Sequence, residues 1–235
     1  MTTSPHVGTL REKPLHADLK RWYAEPADTF EQPVDGFVID IVRGDLLIEI
    51  QTRSFSSMKR KLTALLPHHH VRMVHPIAVE QWIVKVDDAG EILSRRKSPK
   101  RGAAHDLFSE LVSFPEMLSD AHLSLEILFV RTQQVRRFDP TRAWRRKGWV
   151  VEENQLLEVT GSLEVESGED LAELLPEALP DEFTTADLAG ALRCSRRLAQ
   201  QMAYCLRRTG GIEAVGKDGR AVLYRRSLHS SAPTN

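Results

Sequence analysis

The stretch FVIDIVRGDLLIEIQTR, residues 37–53, sets Asp40, Glu49 and Gln51 among apolar and β-branched residues. A two-residue turn at Gly44-Asp45 would pair Val42 with Leu47, Ile41 with Ile48 and Asp40 with Glu49. Directly opposite side chains have Cβ atoms about 4.5–5.5 Å apart, so two like charges there repel and need a shared proton or a cation. Alternation along the strand adds the Gln51 amide oxygen to the same patch. Hard divalent ions use such oxygens: Mg²⁺ (or Mn²⁺) would take Asp40 and Glu49 as metal ligands, with waters and a substrate phosphate completing the shell. A metal held there could activate water for attack on a phosphoryl group. The segment that follows, SFSSMKRKL, brings Lys59, Arg60 and Lys61 close enough to meet phosphate. Equally open is a metal-free alternative, in which both acids pair with Lys or Arg from the neighbouring helix.

The elements around this hairpin follow from periodicity. LHADLKRWYA repeats apolar residues at Leu15, Leu19, Trp22 and Tyr23, a helical period that Pro26 ends. SFSSMKRKLTALLPHH opens on a capping serine and carries Met58, Leu62, Leu65 and Leu66 on one helical face. VRMVHPIA and QWIVKVDD read as two strands, GEILSRRKSPKRG as a strand running into a basic loop, and LSLEILFVRTQQVRRF as a long strand of the same sheet. HDLFSELVSFPEML reads as helix up to Pro115, and QLLEVTGSLEV as a strand or a connector. The composition turns acidic near residue 165. That shift suggests a polar N-terminus over 1–13, a main domain over 14–160, an acidic linker with one short helix over 161–180, a small domain over 181–228 and a tail over 229–235.

The chain has 235 residues, 41% of them hydrophobic and 28% charged, with a net charge of −1. This is the composition of a globular protein. No apolar run approaches a membrane span, and the N-terminus lacks a signal-peptide core, which together suggest a cytoplasmic location with no membrane partner. Cys194 and Cys205 have neither a CxxC spacing nor a zinc-type histidine spacing, so they read as buried thiols. The histidines at 68–70 project in different directions and read as a solvated loop, and His16 and His75 as satisfied polar residues. RAWRRKGW interleaves Trp144 and Trp149 with basic residues, which suits nucleic-acid backbone or equally a surface strand. SRRKSPKRG reads as a phosphate-tracking loop or, more simply, a solvated turn.

The order helix, hairpin with Asp40, Glu49-Ile50-Gln51, then helix and strand resembles the PD-(D/E)xK nuclease superfamily over residues 14–80. The resemblance implies a mixed-sheet α/β fold with a restriction-endonuclease-like core. It also implies Mg²⁺-dependent phosphodiester hydrolysis, with Asp40 and Glu49 as the paired acids. Gln51 stands where that family has lysine, and an amide can orient water but brings no positive charge. Lys59 or Lys61 could supply the charge, and Asp18 or Glu25 a third acid. The alternative is a catalytically inactive nuclease-fold DNA-binding regulator or scaffold.

Residues 181–227 resemble a winged helix-turn-helix, with a turn at Arg193-Cys194-Ser195, Ser195 capping the second helix, and a hairpin about Lys217-Asp218-Gly219. The resemblance implies that Arg196, Arg197, Gln200 and Gln201 enter the major groove of DNA while Lys217, Arg220, Arg225 and Arg226 meet phosphate. A winged helix used for protein contacts carries the same apolar pattern. The sequence leaves room for a homodimer.

Overall fold

A computed structural model describes residues 14–141 and 148–227. The two terminal segments read as polar tails, and Trp144 with its basic neighbours, lie outside the described residues. The chain forms a mixed α/β structure around a seven-stranded mixed sheet, in the order β1 (Thr29–Val34), β2 (Phe37–Arg43), β3 (Leu46–Ile50), β4 (His70–Val86), β6 (Leu123–Phe138), β7 (Trp149–Val165), with β5 (Ile92–Lys97) on the far half of β4. Strands β3, β4 and β6 run parallel, and β1–β2, β2–β3, β4–β5 and β6–β7 are antiparallel.

The hairpin register follows the one read from the sequence up to Ile41 and Ile48, and the expected pairing of Asp40 with Glu49 is not part of the ladder. Ile41 pairs with Ile48 and Val42 with Leu47, and Gly44 takes the positive φ of 57° that the tight turn needs. Each face of the sheet is covered by helix. On one side α1 (Pro14–Tyr23) buries Leu19 against Ile41, Ile48, Ile50, Val74, Leu128 and Val130. On the other, a 3-10 turn (Phe55–Met58) and α2 (Lys59–Leu65) seat Phe55, Leu62 and Leu65 on Leu47, Met73 and Leu125. Ser54 caps that turn through its hydroxyl. Full burial of each such side chain stabilises by about 1.5–3 kcal/mol.

Three elements differ from the sequence reading. The two strands expected over VRMVHPIA and QWIVKVDD are one 17-residue strand, β4, which includes Pro76. Pro76 is tolerated because β3 pairs only up to Val74 and β5 only from Trp82, so its missing N–H faces a side without a strand neighbour. The helix expected before Pro115 is only α3 (Phe108–Leu111), flanked by 3-10 turns. β1, whose Glu31 has a φ of 53° and which includes Pro33, escaped the sequence reading because its pattern is irregular and largely exposed.

β7 continues to Val165, so the residues read as the start of a linker are sheet. Beyond it α4 (Gly168–Glu173), β8 (Glu182–Phe183), α5 (Thr185–Leu192), α6 (Arg196–Arg208), β9 (Ile212–Asp218) and β10 (Ala221–Arg226) form a small module with a three-stranded sheet ordered β8-β10-β9. Thr184 and Asp187 make a reciprocal capping box on α5, and the Ser195 hydroxyl accepts from Leu198 N–H at 3.2 Å to cap α6. The hairpin turn falls at Gly219-Arg220, one step later than read, since Ala221 pairs with Asp218. This module does not hang from a loose tether. Leu171, Phe183, Leu188, Met202 and Leu206 belong to the same buried cluster as Leu107, Phe108, Leu111 and Phe114.

One continuous core predicts one unfolding transition. All four tryptophans lie at or before residue 149, so their fluorescence reports the large sheet while far-UV circular dichroism also senses α5 and α6. In urea the two signals should give the same midpoint, and Leu206→Ala should lower both together by about 2–5 kcal/mol of stability. A helical signal melting ahead of tryptophan would show that the halves fold separately.

Candidate functional site

Asp40 and Glu49 lie on neighbouring strands, one step beyond the last paired residues, Ile41 and Ile48. There side chains replace the backbone ladder. Glu49 Oε1 accepts from the Asp40 N–H at 3.3 Å, and Asp40 Oδ2 accepts from the Ile50 N–H at 2.8 Å. Each carboxylate also meets a basic group from a different helix. His16 Nε2 of α1 is 3.1 Å from Asp40 Oδ2, and Lys61 Nζ of α2 donates to Glu49 Oε1 and, at 2.6 Å, to the Val38 carbonyl. Both acids line an open cavity of about 350 Å³ together with His16, Ile50, Gln51, Thr52, Arg53 and Met58.

The two carboxylates titrate in opposite directions. Burial pushes Asp40 upward, but the hydrogen bond and charge of His16, the Ile50 N–H and the charge of Lys20 outweigh it, leaving its pKa below the usual carboxylate value. Glu49 is pushed up to about 7, first by burial and then by repulsion from Asp40, with Lys61 opposing both. Lys61 therefore does not outweigh burial and the neighbouring carboxylate at Glu49. The hydrogen bonds of the pair converge on Asp40 Oδ2 and Glu49 Oε1.

The remaining sequence-derived site residues divide sharply. Gln51 stands at the cavity, but its Nε2 donates to Ser57 Oγ at 3.1 Å and its Oε1 accepts from the Arg53 N–H at 3.1 Å, so the amide braces the turn into α2. Its carbonyl lies 2.7 Å from His75 Nδ1. Lys61 is at the site; Lys59 is exposed and its charge acts on Glu116 instead. Neither proposed third acid joins the pair: Asp18 binds Arg21 and the Leu156 N–H, and Glu25 binds Arg43. Among the described residues no group of three or more His, Cys, Asp or Glu side chains is arranged to hold a metal ion.

His16 and Arg53 were not read as site residues. His16 shares a face of α1 with Leu19, Lys20 and Tyr23, a face recognisable from the sequence, but only the packing of α1 on the sheet brings it to Asp40. Arg53 follows the acid motif directly and is exposed at the cavity rim.

In the C-terminal module Arg196, Arg197 and Gln200 are exposed on α6, and Gln201 is half-buried. Tyr204, 45% exposed, extends the same outward face. Lys217 and Arg220 are exposed on the β9–β10 hairpin, while Arg225 pairs with Glu213. Arg226 departs from the phosphate-facing role read from the sequence. Its guanidinium is taken up by the carbonyls of Ala172, Leu175 and Pro176 at the end of α4, because the acidic segment folds back over it. Cys205 is buried, its thiol pushed up to about 12 by desolvation and then by the charge of Glu116, and Cys194 is partly buried. No described helix is long and apolar enough to cross a membrane.

A family model described as a domain of unknown function, DUF8091, matches residues 13–166, which span α1 and the whole seven-stranded sheet. The chain belongs to the DUF8091 family. An uncharacterised protein of Treponema pallidum (strain Nichols) is 31% identical over 224 residues, covering 94% of this chain and 87% of that protein. That likeness extends past the DUF8091 domain into the C-terminal module. No solved structure matches the chain.

The raised pKa of Glu49 fixes the sign of a stability effect. A carboxyl whose folded pKa exceeds its ordinary 4.5 binds its proton more tightly when folded, so its contribution is present at low pH and is lost as pH rises towards about 7. In metal-free buffer, stability should fall by up to about 3 kcal/mol across that window, and Glu49→Gln should flatten the decline. Asp40, shifted the other way, acts only below the ordinary carboxylate range. Urea midpoints measured between pH 4.5 and 7.5 check this, and parallel profiles for the two proteins would refute it.

Proposed function

We propose that this chain is a Mg²⁺- or Mn²⁺-dependent endonuclease-like protein that hydrolyses phosphodiester bonds in DNA, on a restriction-endonuclease-like core directed by a C-terminal winged helix. The observation that carries the reading is the convergence of Asp40 and Glu49 on one open cavity, with Lys61 from α2 donating to Glu49. In this reading Lys61 supplies the positive charge that Gln51 lacks. Asp40 and Glu49 are the residues that would hold the ion, and two carboxylates with waters and substrate phosphate are a donor set that suits Mg²⁺. Bound there, the ion would lower the pKa of an attacking water and stabilise charge on a phosphoryl oxygen.

The other roles belong to the chain itself. Lys61 steadies Glu49 and offsets negative charge as phosphate approaches; His16 and the Ile50 N–H fix the Asp40 carboxylate; Gln51 holds the turn that starts α2. The order of α5, the turn at Arg193, α6 and the β9–β10 hairpin supports the winged-helix reading, and the exposed Arg196, Arg197 and Gln200 support DNA as its partner.

A second reading, a catalytically inactive DNA-binding scaffold, is favoured by one observation: each acid already has a basic partner, His16 for Asp40 and Lys61 for Glu49. Cleavage separates the two. Plasmid incubated with Mg²⁺ or Mn²⁺ should be nicked or linearised, and EDTA should abolish the reaction. Asp40→Ala and Glu49→Ala should remove activity while leaving duplex affinity intact, and Lys61→Ala should slow it by about 10²–10³-fold. Intact DNA binding with no cleavage by the native chain would select the scaffold. Arg196→Ala with Arg197→Ala should reduce the salt dependence of duplex binding by about 0.9 for each phosphate that the protein ceases to neutralise.

A further inference from the structure

Between the end of β3 and the start of β5, residues 75–81 of β4 have no strand on one side, and a cavity of about 420 Å³ opens there, lined by His75, Gln81, Lys100 and Glu110 among others. The chain leaving β5 is fastened across this gap. Ser98 N–H donates to the Gln81 carbonyl at 2.7 Å, and Gly102 N–H to the Ala78 carbonyl at 2.8 Å. A Cβ on Gly102 would lie 2.6 Å from the Ile77 side chain and 2.9 Å from the Ala78 oxygen, so the loop lies against β4 as only glycine allows.

A basic run on a loop is ordinarily just a solvated face. This one is held at both ends. From Arg95 to Arg101 it contains no acid. Arg95 lies over the Trp82 ring, 4.4 Å from its centroid, and Lys97 is paired with Glu80. Arg96, Lys100 and Arg101 are exposed and have no carboxylate partner among the described residues. The acids on the cavity wall are engaged elsewhere, Asp106 with the Ala103 N–H and Glu110 with the Phe55 N–H. An anion would therefore meet the outward edge of the loop rather than the cavity floor.

The loop also has a defined place relative to the carboxylates. Glu49 is in register with Met73 of β4, and the Gln51 carbonyl contacts His75, the next station along that strand. Ala78, where Gly102 fastens the loop, is five residues beyond Met73, and Ile83, which pairs with Arg96, is ten beyond it, roughly 17 and 33 Å at a strand rise of about 3.3 Å per residue. Duplex DNA advances about 3.4 Å per step, so the loop spans about five to ten base pairs from the carboxylates.

We propose that Arg96, Lys100 and Arg101 form a phosphate clamp that grips the backbone of duplex DNA about five to ten base pairs from the Asp40–Glu49 cavity. The proposal rests on the nucleic-acid reading of that cavity but not on its catalytic competence. The test uses the full chain in EDTA, binding a labelled duplex of about 30 base pairs by fluorescence anisotropy from about 50 to 200 mM salt. With Arg96→Ser, Lys100→Ser and Arg101→Ser combined, the slope of log affinity against log salt should shrink by about 2–3, and Kd at about 150 mM salt should rise at least tenfold. Lys100→Ser alone should reduce the slope by about 1, which guards against a folding defect in the triple variant. An unchanged slope, no duplex binding by the native chain, or a weakening seen with duplex RNA but not DNA would overturn the clamp. Cleavage measured separately with Mn²⁺ distinguishes the two ideas: an inactive chain whose slope still falls loses the hydrolase and keeps the clamp, and an active chain with an unchanged slope does the reverse.

Discussion

Two carboxylates buried side by side at the open end of a hairpin constrain everything packed around them. Neither can be left alone in a low-dielectric surrounding, because an unpaired buried charge costs several kcal/mol. The chain meets this cost from both faces of the sheet: α1 delivers His16 and the charge of Lys20 to Asp40, and α2 delivers Lys61 to Glu49. Helix placement and site electrostatics are thus one problem. Leu19 and Leu62, fully buried on opposite faces, hold the helices that bring the compensating charges. The balance stays incomplete on the Glu49 side, where burial outweighs Lys61.

β4 organises the rest. It pairs with β3 at one end, β5 at the other and β6 throughout, and the side without a strand neighbour, centred on Pro76, is where the two polar cavities come nearest to sharing a wall. His75 occupies that wall, half-buried, its ring 5.0 Å from Phe55 and its Nδ1 on the Gln51 carbonyl. Burial lowers its pKa, partly offset by that hydrogen bond and the charge of Glu110. A neutral imidazole here serves as a strut between the acid motif and the strand.

The hairpin was legible because its information is local. Alternation and Gly44-Asp45 suffice to fix which residues face which, and Asp40 and Glu49 emerge together from that register alone. The caps at Ser54 and Ser195 were legible for the same reason, each a short side chain serving a backbone N–H two or three residues on. What escaped was non-local. No spacing rule links His16 to Asp40 across 24 residues, and nothing in GEDLAELLPEAL shows that Arg226 will return to hold its end. β4 was read as two strands, divided at Val79-Glu80, because only its pairing with β6 shows that the strand runs on through the register shift there. Gln51 was identified by its place in a motif, and only its neighbours Ser57 and Arg53 reveal that the amide is engaged locally.

The matched family domain stops at residue 166, yet the apolar cluster runs on without interruption from Leu111 and Phe114 into Leu188, Met202 and Leu206. A fragment cut at that border would leave α3 with an oily flank turned to solvent. The unit matched by the family model is therefore smaller than the unit that buries its own core. Substitutions on either side of the seam are constrained to accommodate one another, and the C-terminal module is ill suited to being exchanged as an independent cassette.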